Sequence, residues 1–182
     1  ENLKKYKKID VVACGSAMHA GMVGKYLIEK TANIPVNVEV ASEYRYKKLF
    51  IDKDTLVILV SQSGETADTL AALEIAKEKG CDTLAIVNVE NSSIARMADM
   101  TIYTQAGPEI AVATTKAYLA QVSIFSLLAL YLGHDNMPKE EISLIKNQIQ
   151  KLPLMINDLI QNDELYHDIA KLIYENNDVY FI

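Results

Sequence analysis

The sequence predicts an α/β protein: a three-layer α/β/α sandwich around a five-stranded parallel sheet, followed by C-terminal connecting helices. Two features carry that reading. Short apolar runs alternate with helical patterns five times along the chain. The third run is continuously apolar from Leu56 to Val60, as in strands buried on both faces of a parallel sheet. Right-handed crossovers then place helices on both faces.

Ile9 to Ala13 is the first apolar run, and it ends in the turn Cys14-Gly15. A helix follows from Ala17 to Thr31, with Met18, Met22, Tyr26 and Leu27 near one face. Asn33 and Pro35 stop it, and Val36 to Val40 forms a second strand. A short polar helix spans Ser42 to Lys47. Thr55 to Val60 is the third strand, and a helix runs from Glu65 to Lys79 with Gly80 as its C′ residue. Thr83 to Val87 is the fourth strand, and a short helix ends at Ala98. Met100 to Tyr103 is the fifth strand, and a long helix covers Thr114 to Leu132.

The character changes after Gly133, so residues 1–134 are expected to form the sheet domain and 135–182 the connecting helices. Pro138 opens a charged helix with a stripe of Ile142, Ile145, Ile149 and Leu152. Pro153 is expected to break or kink it at Leu152. Leu165 to Tyr174 is a further helix, and Asp178 to Ile182 reads as the start of another strand. That start implies a piece of a longer protein.

Composition narrows the function. Half of the 182 residues are hydrophobic and 23% are charged, as in ordinary globular domains. A net charge of −6, with Lys4, Lys5, Lys7 and Lys8 as the only basic run, argues against nucleic-acid binding. Cys14 and Cys81 are too few for a disulfide framework, which points to a reduced, cytoplasmic setting. The polar start shows no secretory signal. The apolar stretch Ala117 to Leu132 is interrupted by Gln121, Ser123 and Ser126 and is shorter than a bilayer usually requires. No membrane association is expected, and the stretch reads as a buried helix or a homodimer interface. His19, His134 and His167 have no ligand spacing, so neither a metal nor another cofactor is expected.

Ligands of open α/β sheets sit beyond the carboxyl ends of the strands, where three loops fall. The strongest is Ser61-Gln62-Ser63-Gly64-Glu65-Thr66, after the third strand. It opens a helix, whose N-terminus carries about +0.5 elementary charge and unpaired N–H donors that favour a phosphate. Gly64 allows a close turn, and the lack of a lysine excludes a nucleoside-triphosphate loop. A plain N-cap cluster is the competing reading. Glu65 is expected to complement the dipole of its own helix. The second loop, Cys14 to His19, offers Ser16; Cys14 reads as a packing residue and His19 as a surface or core histidine. The third, Glu109 to Lys116, offers small residues and two threonines that can cap the long helix.

These segments resemble a known family. Ile9 to Gly133 is similar to a sugar isomerase (SIS) domain, a flavodoxin-like fold, and Ser61–Thr66 matches its phosphate loop. Ala41-Ser42-Glu43-Tyr44-Arg45-Tyr46, Val60 to Thr69 and Glu109 to Ala117 resemble the glutamine–fructose-6-phosphate aminotransferase (isomerizing) family. The resemblance implies the first SIS half of an isomerase region, natively fused to a glutaminase domain and a second SIS half. It implies a sugar-phosphate ligand, fructose 6-phosphate or glucosamine 6-phosphate. It implies phosphate contacts from Ser61, Gln62, Ser63 and Thr66, and sugar contacts from the Val112 backbone with Ala113 beside it. Ser16 stands where many relatives have threonine, and Ala17 where some have a ligand-contacting serine. The resemblance places no catalytic residue in this stretch, so the chain alone is expected to bind without turning over. A sugar-phosphate sensor domain of a regulator, or a related isomerase or deglycase, are the other readings.

Overall fold

A computed structural model describes residues 2–110 and 114–180. The chain divides into two compact units, Glu1–Met137 and Pro138–Ile182. The first holds the strands β1 (Lys8–Ala13), β2 (Val36–Val40), β3 (Thr55–Ser61), β4 (Asp82–Val87) and β5 (Met100–Tyr103). All pair in parallel, in the order β2-β1-β3-β4-β5. The helices are α1 (Gly15–Ala32), α2 (Ala41–Tyr44), α3 (Ala67–Glu78), α4 (Ser93–Met97) and α5 (Lys116–Gly133).

The pleat sorts side chains into two cores. Ile9, Val11, Leu56, Ile58, Leu84 and Ile86 pack with α1 and α5, around Phe125 and Leu128. Val12, Val57, Leu59, Ala85 and Val87 pack on the other face with Tyr44, Leu73, Ala76 and Ile94. This is the expected three-layer sandwich. The first run is not wholly apolar: Asp10 is buried on β1. Lys8 Nζ lies 3.1 Å from its Oδ1, and Asn37 Nδ2 donates to the same oxygen at 3.2 Å. A buried carboxylate is tolerated when paired in this way.

Helices α1 and α5 approach closely because small residues stand at their crossing. Gly24 lies under the ring of Phe125, and Gly133 against Thr31. The Thr31 hydroxyl, 2.8 Å away, donates to the Ala129 carbonyl. By length and composition α5, with a mean hydropathy of 1.3, would pass as a membrane span, a test that buried core helices also pass. Its inner face, including Phe125, Leu128, Ala129 and Leu132, is buried in the core of the first unit.

Several boundaries differ from expectation. The α3 helix begins at Ala67, two residues late, because Glu65 and Thr66 belong to the preceding loop. The α5 helix begins at Lys116 rather than Thr114, and α2 stops at Tyr44, whose side chain is fully buried. In the second unit, α6 (Lys139–Ile160) passes through Pro153 without a break, and α7 is Asp163–Ile173. A proline removes one intrahelical donor. The stripe Ile142, Ile145, Ile149, Leu152, Ile156, Leu159 keeps a single phase across it, so both sides favour the same helix. Asp178 to Tyr180 form no strand, and residues 181 and 182 lie outside the described ones.

Gly24 tests the α1–α5 contact. A methyl there would lie 2.3 Å from Phe125 Cδ1. Overpacking costs about 1–3 kcal/mol, against a gain of about 1 kcal/mol in helix propensity. Gly24→Ala should therefore lower the urea midpoint, and adding Phe125→Leu should recover most of the loss. An unchanged midpoint in Gly24→Ala would contradict the packing described.

Candidate functional site

Strands β1 and β3 are neighbours, with Ala13 opposite Val60, so the loops that follow them begin level. Their helices then leave on opposite faces of the sheet, α1 into one core and α3 into the other. Strand order reverses at this point, so neither βα connection crosses the gap. A cleft of about 260 Å³ opens there. Cys14, Gly15, Ser16 and Ala17 form one wall, and Val60, Ser61, Gln62, Ser63 and Thr66 another. Thr114 and Gln121 close it from the α5 side.

The second wall is shaped by its own hydroxyls. Ser61 Oγ is buried and accepts from the Gly64 amide at 3.0 Å. It also lies 3.1 Å from Thr66 Oγ1. With Ser61 as donor in that pair, the Thr66 proton is free for a ligand. Ser63 Oγ accepts from the Glu65 amide at 3.2 Å. Gly64 has φ +66°, which L side chains adopt only with strain. The first-turn amides of α3, which lack intrahelical partners, follow directly after the turn. Thr66 occupies the N-cap position without a side-chain cap bond, so the N-cap reading does not describe its hydroxyl.

A second set of contacts holds this loop from outside. The Ile94 amide donates to the Gly64 carbonyl at 3.1 Å, and the Asn88 amide to the Gln62 carbonyl at 3.1 Å. The Asn88 side chain reaches the segment after β5: its Oδ1 accepts from Thr104 Oγ1 and the Ala106 amide, each at 2.8 Å. Its Nδ2 donates to the Gly107 carbonyl at 2.7 Å. Glu65 Oε1 accepts from the Ser93 amide at 2.7 Å. Hydrogen bonding from Ser93, with Arg96 nearby, holds its carboxyl below the usual carboxylate range. Glu65 thus caps α4, not its own helix as the sequence reading expects.

The remaining candidates divide. Ser16, Ser61, Gln62, Ser63 and Thr66 share the cleft. Val112 and Ala113 lie outside the described residues. His19 is exposed and is not part of the cleft wall. Cys14 lines the cleft as well as packing against the core. Burial pushes the Cys81 thiol up to about 11, and its Sγ lies 3.2 Å from the Asp52 carbonyl oxygen, which marks a structural residue. The α5 helix is capped by Glu109, whose Oε2 accepts from the Ala117 amide at 3.2 Å; Thr115 makes no side-chain cap bond. Among the described residues no group of His, Cys, Asp and Glu could hold a metal ion. A larger hollow, about 560 Å³, is lined only by α7 residues, among them Asp163, Tyr166 and His167. One helix face brings no convergent groups to it.

Residues 2–131 match the model of the SIS domain family. The chain belongs to that family. Over its full length the chain is 50% identical to a glutamine–fructose-6-phosphate aminotransferase [isomerizing] of Clostridium tetani. It is 48% identical to the enzyme of that name from Caldanaerobacter subterraneus. The chain spans only 30% of the length of each. Among solved structures, it resembles the C-terminal domain of glucosamine-fructose-6-phosphate aminotransferase from Francisella tularensis, at 34% identity with a TM-score of 0.89. That match covers 94% of this chain and 49% of the other.

Two residues of the SIS domain site were not picked out from sequence. Asn88 stands at the carboxyl end of β4, where a polar residue directly after an apolar strand is the available signal. Gln121 registers in the sequence only as an interruption of an apolar helix.

The Gly64 turn is directly testable. A methyl at Gly64 would lie 2.0 Å from Ser92 Oγ, and its left-handed backbone adds a strain of about 1–2 kcal/mol for any L side chain. Gly64→Ala should lower the melting temperature. Ser92→Gly, which removes a hydroxyl that makes no cap bond, should restore only the part due to collision. Full recovery in the double variant would show that the backbone is not strained there.

Proposed function

We propose that this chain is the first SIS half of the isomerase region of a glutamine–fructose-6-phosphate aminotransferase, and that its cleft binds the phosphate of fructose 6-phosphate. The observation that carries the reading is the Ser61–Thr66 loop. It joins a strand end, a left-handed glycine, clustered hydroxyls and a helix N-terminus at the point where strand order reverses. Similarity to the aminotransferases along the whole of this chain supports the wider assignment.

On this reading the roles within the loop differ. Thr66 and Ser63 offer hydroxyls to the phosphate, Gln62 offers its amide, and the α3 N-terminus supplies backbone N–H groups. Ser61 holds the loop closed through Gly64 and Thr66. Ser16 adds a hydroxyl from the opposite wall. Binding by neutral donors keeps the anion exchangeable, as a substrate site requires. In the whole enzyme, ammonia from glutamine would meet the sugar held here, giving glucosamine 6-phosphate. The acid–base groups for that reaction and the glutaminase nucleophile would come from the rest of the longer protein. This chain alone would bind and not turn over. Two copies would pair through the outer face of α5, where Leu119, Leu127 and Tyr131 are exposed. The free thiols of Cys14 and Cys81 suit a reducing cytoplasm.

Calorimetric titration with fructose 6-phosphate tests the proposal. Fructose without its phosphate should not bind measurably. Losing a hydrogen bond to a charged group costs about 1.5–3 kcal/mol, so Thr66→Val should weaken fructose 6-phosphate by roughly tenfold or more. Equal affinity in parent and variant would place the phosphate elsewhere.

A further inference from the structure

Gln121 stands in the second turn of α5, within the wall of the cleft. Its side chain is 1% exposed, and its amide oxygen is buried with no hydrogen-bond partner among the described residues. Buried polar atoms in folded proteins are nearly always paired, because an unpaired one lowers stability. An unpaired acceptor at a cleft wall marks the place of a donor that the described chain does not supply.

The chemistry of that donor is constrained. A carbonyl oxygen accepts and does not donate. The dianion of a phosphate monoester has no proton to offer, so the anion on the Ser61–Thr66 loop does not satisfy Gln121. A sugar hydroxyl attached to that phosphate does. We propose that Gln121 is a specificity-determining residue of this cleft: its amide oxygen accepts a hydrogen bond from a hydroxyl of a phosphorylated polyol. The inference rests on the phosphate assignment above and adds the part of the ligand beyond the phosphate.

The assignment explains why a glutamine interrupts an otherwise apolar helix. On the same helix, Phe125, Leu128 and Ala129 fill the core around α1. A methionine would fit position 121 by size and leave no acceptor unpaired. The glutamine therefore weakens the empty protein and strengthens the complex, a common exchange of stability for function.

Gln121→Met separates this role from a structural one. Affinity is measured for fructose 6-phosphate and for methyl phosphate, a monoester with no hydroxyl, and melting temperature for the ligand-free protein. In the variant, fructose 6-phosphate should bind about threefold to tenfold more weakly, the loss expected for one neutral hydrogen bond. Methyl phosphate should bind as in the parent, and the ligand-free melting temperature should hold or rise. Gln121→Leu should behave alike. Unchanged fructose 6-phosphate affinity would overturn the proposal and leave a bound water as the donor. Equal weakening of both ligands, or a lower melting temperature with no selective loss, would also overturn it in favour of a packing role. A parent that binds neither ligand would overturn the phosphate assignment itself, and this inference with it.

Discussion

Strands β1 and β3 lie side by side in level register, and yet the helices that follow them must leave on opposite faces. Each face of the sheet has its own apolar set, and neither can be left uncovered. Right-handed crossovers therefore carry α1 toward β2 and α3 toward β4, away from each other. The gap between the two loops follows from that divergence. Its walls are backbone turns at strand ends, which explains why Gly15 and Gly64 both take left-handed backbone. The closeness of α1 and α5, set by Gly24 beneath Phe125, places α5 and Gln121 at the third side.

Within that gap, the shape of the Ser61–Thr66 loop depends on contacts made by residues outside it. Ser61 and Ser63 fold the loop upon itself, while Asn88, Ser93 and Ile94 hold it through Gln62, Glu65 and Gly64. The ends of β3, β4 and β5 are thereby joined through one asparagine, by its backbone amide to Gln62 and by its side chain to the segment after β5. Such a scaffold fixes donors before a ligand arrives, so little ordering cost falls on binding.

The sandwich was legible because its signals are local and repeated. Apolar runs such as Val57 to Val60 and glycines at helix ends need no tertiary information. The Ser61–Thr66 loop was legible as a candidate site because hydroxyls, an amide and a glycine fall in six consecutive positions after a strand. Other features depended on contacts across the chain. Asp10 inside β1 is satisfied by Lys8 and Asn37, the latter from the neighbouring strand β2. Glu65 serves α4 rather than α3 because the chain returns beside it 28 residues later. Pro153 did not end its helix because the apolar phase resumes unchanged beyond it. Gln121 carried no motif at all; only its burial without a partner distinguishes it from a surface glutamine.

The proposed anion site lies between the ends of β1 and β3. Backbone amide shifts of the ¹⁵N-labelled protein, followed during addition of fructose 6-phosphate, locate it without any substitution. The largest movements are predicted at Ser63, Gly64, Glu65 and Thr66, with smaller ones at Gly15 and Ser16 across the cleft. Movements confined to α7, around Tyr166 and His167, or none at saturating ligand, would contradict it.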